Sequence, residues 1–287
     1  ANPALFREAQ AMLIQDGGND KNGVPTLTTS LRGAVDVIVT VSALEASVHS
    51  GMFGGAAPDP IAALVHMLAS LRDERGNVTV PGIAADQSWE GVEYDETAFR
   101  KDAGMLSGTE ILGSGSISAQ LWARPVITIL GIDAPPVVGA VAAIQARAAA
   151  KLNLRVPPGA DPVQMSEALV AHLHAVAPWG VHVEATAGEP GYPFSADTTG
   201  PAFSLLSAAL TDAYDGVAAV TAGQGGSIPL TTTLSKVNPD AEIVLLGVPD
   251  PESRIHSTNE SVDPEEIRRI ALGEALFLAR LGAAAAQ

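Results

Sequence analysis

The chain has 287 residues, 47% of them hydrophobic but only 4% aromatic, so its cores must be built from Ala, Val, Leu and Ile. Lys and Arg total 16 against 32 Asp and Glu, a net charge of -16 that disfavours nucleic acid and anionic membranes as partners. No cysteine is present, which excludes disulfides and thiolate metal sites and leaves His, Asp and Glu as metal ligands.

The length suggests two domains. No apolar run reaches the roughly 18 residues of a membrane span. The N-terminus lacks a signal-peptide layout, so the cytoplasm is the expected location. Residues 2–13 read as a helix entered at Asn2 and Pro3. Leu13-Ile14-Gln15 reads as a short buried strand ending in Asp16-Gly17-Gly18-Asn19-Asp20. A carboxylate at a strand end followed by glycines is a ligand geometry of α/β proteins, and equally an ordinary Asp-Gly turn. Between Thr26 and Val41 the β-branched run Val35, Val37, Ile38, Val39 predicts a strand. Pro58-Asp59-Pro60 starts a helix over 60–73 whose apolar face is Ile61, Leu64, Val65, Leu68 and Leu71. Asn77–Val80 is a candidate strand, and the polar, Gly- and Ser-rich stretch 83–124 is an excursion with one helical segment at 95–100.

Val126–Gly131 and the run ending Leu152–Val156 predict strands, Asp161-Pro162 starts a helix through Leu173, and Val181–Glu184 closes the set. Strand, helix, strand, then strand, helix, strand is a split βαβ layer. Gly191-Tyr192-Pro193 signals a linker. A helix through Phe203, Leu206, Leu210 and Tyr214, a short strand at Val217–Val220, and a glycine turn at Gly223–Pro229 follow. Ile243–Gly247 is a continuous apolar run typical of a strand buried on both faces. Asp263-Pro264 opens the last helix, with Ile267, Ile270, Leu278 and Leu281 inward. Alternating helices and apolar strands imply a mostly parallel sheet covered by helices.

Two histidines stand in unusual settings. His49 lies in Val48-His49-Ser50-Gly51 through Gly55, at a glycine turn before a helix; it reads as a loop histidine near a cap or as a ligand-facing one. His256 lies between the buried strand and the last helix, where α/β ligand sites open, with Asn259 and Glu260 able to orient its loop. His66, His172, His174 and His182 fall on helices or a strand without such company and read as structural or surface residues. Gly225-Gly226-Ser227 lacks the Lys and spacing of a P-loop, and a backbone nest for a carboxylate explains its glycines as well. Arg155, at a strand end before Pro157-Pro158-Gly159, could pair bidentately with a carboxylate or simply face solvent.

Taken together, Gln15–Asn19, Thr26–Gly33, Val48–Gly55, Leu154–Gly159, Gly225–Pro229 and Ile255–Glu260 resemble, in order and spacing, the M20 metallopeptidase family in its carnosinase-like dipeptidase branch. The resemblance implies an α/β catalytic domain, incomplete here, formed by residues 1–27 and 190–287, with a ferredoxin-like βαββαβ lid at 28–189 through which the protein forms a homodimer. It implies Asp16 and His256 as ligands of two zinc ions, with manganese or cobalt as alternatives. It implies His49 as the lid histidine that polarises the scissile carbonyl in the partner's site, and Arg155 with Gly225, Gly226 and Ser227 as holders of the substrate carboxylate. The substrate implied is a dipeptide or acylated amino acid.

The family's His-x-Asp pair, bridging Asp and adjacent glutamates have no counterpart in the sequence; the paired glutamates would fall just before Ala1. Gln224 stands where a Glu is frequent, and Ala142-Ala143 where a polar substrate contact is usual. A two-metal hydrolase needs ligands for both ions and a base. The expectation is therefore a metal-dependent hydrolase of dipeptides or related amides that is inactive as this chain alone, with an N-terminal half as a missing partner. A non-catalytic dimerisation or small-molecule-binding module is the alternative, and phosphate binding at Gly223–Ser227 a third.

Overall fold

The computed structural model describes residues 2–285. In chain order the elements are β1 (Ala11–Ile14), β2 (Thr26–Leu31), β3 (Gly33–Ser42), β4 (Val48–His49), α1 (Ser50–Phe53), α2 (Pro60–Ala69) and α3 (Glu96–Asp102). Then come β5 (Val126–Asp133), β6 (Ala143–Ile144), β7 (Arg147–Val156), α4 (Pro162–Ala175), β8 (His182–Ala187) and β9 (Phe194–Ser195). The last group is α5 (Pro201–Ala213), β10 (Val220–Gln224), α6 (Pro229–Val237), β11 (Glu242–Leu245) and α7 (Pro264–Ala285).

Strands β5, β7, β3 and β8 form one antiparallel sheet in that order. With α2 and α4 they make the expected ferredoxin-like βαββαβ layer. Strict alternation puts Val35, Val37, Val39 and Val41 of β3, and Ala148, Ala150, Leu152, Leu154 and Val156 of β7, on one face. That face packs on Ala63, Leu64, Met67 and Leu68 of α2 and Met165, Leu169 and Leu173 of α4. Both helices start as the sequence predicts, on Asp59 and Asp161, whose carboxylates accept the backbone N–H groups of Ile61 and Val163.

The second sheet runs β1-β11-β2-β10, with β9 beside β2. Its long pairings, β1 with β11 and β2 with β10, are parallel, and the short contacts of β2 with β11 and β9 are antiparallel. Neighbouring residues of β11 face opposite layers. Ile243 and Leu245 join Leu234 of α6, while Val244 and Leu246 join Leu206, Leu210, Ile270 and Phe277 of α5 and α7. Burial on both faces is what the continuous apolar run requires.

Several expectations are corrected. The helix over 2–13 is a single 3-10 turn, Pro3–Phe6, followed by β1. Leu5 and Phe6 have no core to face, and Asn238 Nδ2 instead donates to the Phe6 and Ala9 carbonyls at 3.0 and 2.9 Å. Asn77–Val80 makes only an isolated bridge, Val78 to Arg72, so β5 is the layer's second strand. The helix from Pro60 stops at Ala69, and the strand expected at Val217–Val220 begins at Val220 and absorbs Gly223 and Gln224. The run from Thr26 to Val41 is two strands in two sheets, β2 and β3, and the chain changes sheets at Arg32.

The return crossing lies against the outward one. Ala34 and Gly191 exchange backbone hydrogen bonds of 2.9 and 2.8 Å. Gly33 sits so tightly there that a Cβ would lie 2.3 Å from the Gly191 carbonyl oxygen. Gly33→Ala is therefore expected to lower stability by about 2 kcal/mol, read from the urea midpoint, because backbone must move to admit the methyl group. An unchanged midpoint would show that the crossing yields freely.

Candidate functional site

Because β1 and β11 are parallel, their carboxyl ends lie at one edge and the two following loops leave together. The Gly17 N–H donates to the Leu246 carbonyl at 3.0 Å and the Asn19 N–H to the Pro249 carbonyl at 2.7 Å. Gly247 permits this contact, since a Cβ there would lie 2.0 Å from the Gly17 carbonyl oxygen. Asp16 opens the first loop and His256 follows Ile255 on the second; both are exposed. Gly18, Asn19 and Asp20 share with Asp250 and Ile255 a cavity of about 200 Å³. Arg254, His256 and Asn259 all hold positive φ, between 54° and 62°. Left-handed backbone at Arg and His is costly and concentrates at ligand-binding loops.

A buried network missed in the sequence fixes the first loop. Glu266, 2% exposed in the first turn of α7, accepts Asn19 Nδ2 at 2.8 Å, the Tyr214 hydroxyl at 2.7 Å and the Gly23 N–H at 2.9 Å. Asn19 Oδ1 in turn accepts the Thr26 N–H at 3.1 Å. Burial, and then the Glu266 bond, push the Tyr214 phenol up, so it stays a neutral donor. The sequence signal was present as Asp263-Pro264-Glu265-Glu266, but it reads as a helix start with solvated carboxylates.

The excursion also reaches the cavity. Tyr94 and Trp122 line it beside Gly223 and Gln224. The single π-helical turn Ala119–Ala123 buries Trp122 against Gly223, where a Cβ would lie 2.4 Å from the Trp122 Cβ. Tyr94 donates to Asp102 Oδ2 at 2.7 Å, and burial and that carboxylate hold its phenol protonated. Weak periodicity concealed both residues.

A cationic corner lies where the chain changes sheets. Arg155 on β7 pairs in register with Ala34. Gly191, bridged to Ala34, stands with its Cβ position 3.7 Å from Ser227 Oγ. Gly225 packs on Arg32, with its Cβ position 2.9 Å from Arg32 Nη2. Arg155 and Gly191 flank Ala34 on opposite sides of β3, so the Gly225–Ser227 turn adjoins Arg32 and Gly191, Arg155 stands across β3 with its charge felt at Arg32, and Gly226 has open space around it.

His49 lies apart, on the lid. Its short strand pairs with β6, placing it opposite Ala143. The ring is exposed, and Nδ1 accepts the Gly51 N–H at 3.1 Å. A neutral ring so bonded carries its proton on Nε2, pointing away from its own backbone. Of the remaining histidines, His172 pairs with Ser70 Oγ at 2.9 Å and burial lowers its pKa. His66, His174 and His182 enter no cluster of metal-ligating side chains among the described residues.

Residues 29–181 match the family model of the peptidase dimerisation domain of M20 enzymes. The chain belongs to the M20 metallopeptidase family. It is 44% identical over 284 residues to a cysteinylglycine-S-conjugate dipeptidase of Corynebacterium striatum, covering 98% of this chain and 62% of that relative. The fold is similar to that of an M20 family metallo-carboxypeptidase from Sulfolobus solfataricus, with a TM-score of 0.79 at 20% identity over 96% of this chain and 64% of the other. It is similar also to the dipeptidase Dug1p from Saccharomyces cerevisiae, with a TM-score of 0.76 at 23% identity over 94% of this chain and 58% of the other. The chain therefore spans less than two thirds of the length of these M20 relatives.

Asp16 and His256 carry a carboxylate and an imidazole on adjoining loops, and no group of three or more His, Asp or Glu among the described residues is arranged to hold a metal ion. A zinc site typically takes about three or four protein ligands. No helix among the described residues is long and apolar enough to cross a membrane.

Glu266→Ala is expected to cost on the order of 3 kcal/mol in chemical unfolding, because it leaves Asn19, Tyr214 and Gly23 without their acceptor in a buried site. Glu266→Gln, which keeps one acceptor oxygen, should cost less. Equal, small losses for both would mean that water replaces the carboxylate.

Proposed function

We propose that this chain supplies the dimerising lid and the C-terminal part of the active site of a metal-dependent dipeptidase. Its substrates are dipeptides or related acylated amino acids with a free carboxylate. The observation that supports the reading is the joining of the Asp16 and His256 loops by direct backbone hydrogen bonds at one cavity, with the Arg32 guanidinium against Gly225 and the Arg155 charge close enough to act on it. The names of the relatives agree with it: one is a cysteinylglycine-S-conjugate dipeptidase and another a Cys-Gly metallodipeptidase of Saccharomyces cerevisiae.

In this reading Asp16 and His256 each give a ligand to a metal pair, zinc or alternatively manganese or cobalt, whose remaining ligands and general base lie outside this sequence. Arg155 and Ser227 orient the substrate carboxylate, which holds the scissile amide in register. His49, exposed on the lid with its Nε2–H free, donates to the carbonyl oxygen in the other subunit's site as negative charge develops there. The lid accordingly pairs with a second copy. Segments 1–31 and 190–287 form the catalytic part.

The isolated chain is expected to bind zinc weakly and to hydrolyse no Cys-Gly with zinc, manganese or cobalt. In a chain extended by the family's missing ligands, His49→Ala should lower kcat by roughly 100-fold with little change in KM. Mixing that variant with Asp16→Ala should restore about a quarter of the activity, because half of the dimers then contain one intact site. Hydrolysis by the isolated chain would overturn the incomplete-site reading. Failure to complement would place His49 in its own subunit's site. The incomplete donor set favours one other reading, a non-catalytic dimerisation or binding module; it predicts a lid dimer and no activity in the extended chain.

A further inference from the structure

Arg32 is the most anomalous buried group in the molecule. It links β2 to β3 and is 7% exposed. Its Nη1 donates to the Gln120 carbonyl at 3.2 Å, and its Nε has no partner. Among the described residues it makes no ion pair. Burial, and secondly the Arg155 charge, bring its pKa down to about 10, which still leaves it fully charged at neutral pH. Arginine this deep is ordinarily paired with a carboxylate or other anion, because an unmatched buried charge costs several kcal/mol.

Its surroundings indicate where the anion sits. The guanidinium packs under the turn after β10, against Gly225, and the Arg32 N–H donates to the Gln224 carbonyl at 3.2 Å. Ser30 Oγ and Gln224 Oε1, beside it on β2 and β10, are also buried without partners. A side chain on Gly225 would collide with Arg32, so the turn stays thin over the buried charge.

We propose that Arg32 is a positioning and specificity residue: its sealed guanidinium places a fixed positive charge behind the Gly225–Ser227 turn, so that ligands ending in a free carboxylate are taken in preference to their amides. The proposal rests on the carboxylate-seat reading above. In that reading Arg155 meets the ligand directly, whereas Arg32 acts through the turn.

The test is calorimetric titration of this chain with N-acetylglycine and, in parallel, with N-acetylglycinamide, which lacks the charge. The unmodified chain should bind the acid and discriminate against the amide. Arg32→Met should weaken binding of the acid by roughly ten-fold, and Arg32→Lys, which restores the charge, should recover part of it. If Arg32→Met binds the acid as the unmodified chain does while Arg155→Met does not, the role of Arg32 is overturned and the seat stands. If the unmodified chain shows no preference for the acid, both fall. Should Arg32→Met not fold, the Arg32 Nε–H resonance of the unmodified chain decides. A shift on adding the acid but not the amide supports the proposal, and no shift overturns it.

Discussion

The structure depends on a double crossing between two sheets. The chain leaves the β1-β11-β2-β10 sheet at Arg32–Gly33 and returns at Gly191, and the two passages are hydrogen-bonded to each other through Ala34. Two independent linkers would leave the lid free to swing, as inter-domain contacts of modest size usually do. Here the Gly188 N–H also donates to the Asp36 carbonyl at 2.8 Å, extending the paired passage into the lid sheet. The passage is crowded because it must be: Gly33 has no room for a methyl group. Rigidity at this point fixes Arg155, carried by the lid, relative to the Gly225–Ser227 turn, carried by the other sheet.

The second fixed point is the loop pair at the carboxyl edge. Parallel β1 and β11 deliver two loops to one place, but parallelism alone does not join them. The contact of Gly17 with Leu246 and Gly247 does, and the buried Glu266 locks the first loop from behind. Elements distant in sequence, a turn near residue 18 and a helix start near 266, are thus one mechanical unit. His256 holds left-handed backbone on the second loop of this pair, and such strain persists where the surrounding structure over-determines it.

What the sequence made legible follows from periodicity. The alternation in Val35–Val41 and Ala148–Val156 and the continuous run at Ile243–Leu246 declare strands buried on one face and on both, and the structure has them so. Asp59-Pro60 and Asp161-Pro162 declare helix starts that are observed. Periodicity fails where burial is decided by distant partners. Residues 2–13 carry a helix-like spacing of apolar residues, yet the strand from Ala11 wins because β11 is available to pair with it. A strand cannot announce that it changes sheets midway, so the break at Arg32 is invisible in a run that is β-favourable throughout. Glu266 and Trp122 were hidden for the same reason: each acts through a partner dozens or hundreds of residues away.

The charge distribution bears on ligand choice. A chain of net charge -16 repels a carboxylate at long range, but at physiological salt that repulsion is screened beyond about 8 Å. Selection therefore falls to charges within a few ångströms of the bound ligand, and the local sign at the two ends of the candidate site is opposite. Asp20 and Asp250 stand at the cavity that the Asp16 and His256 loops enclose. Arg155 and Arg32 stand at the crossing, each without an ion-pair partner among the described residues. Under the dipeptidase reading proposed above, a zwitterion with its amine toward the acidic loops and its carboxylate toward the arginines would be matched at both ends. A neutral amide loses the second match, and an anion without an amine loses the first. On that reading the polarity of the site would orient the substrate before any chemistry begins, with charges carried on the two sides of the double crossing.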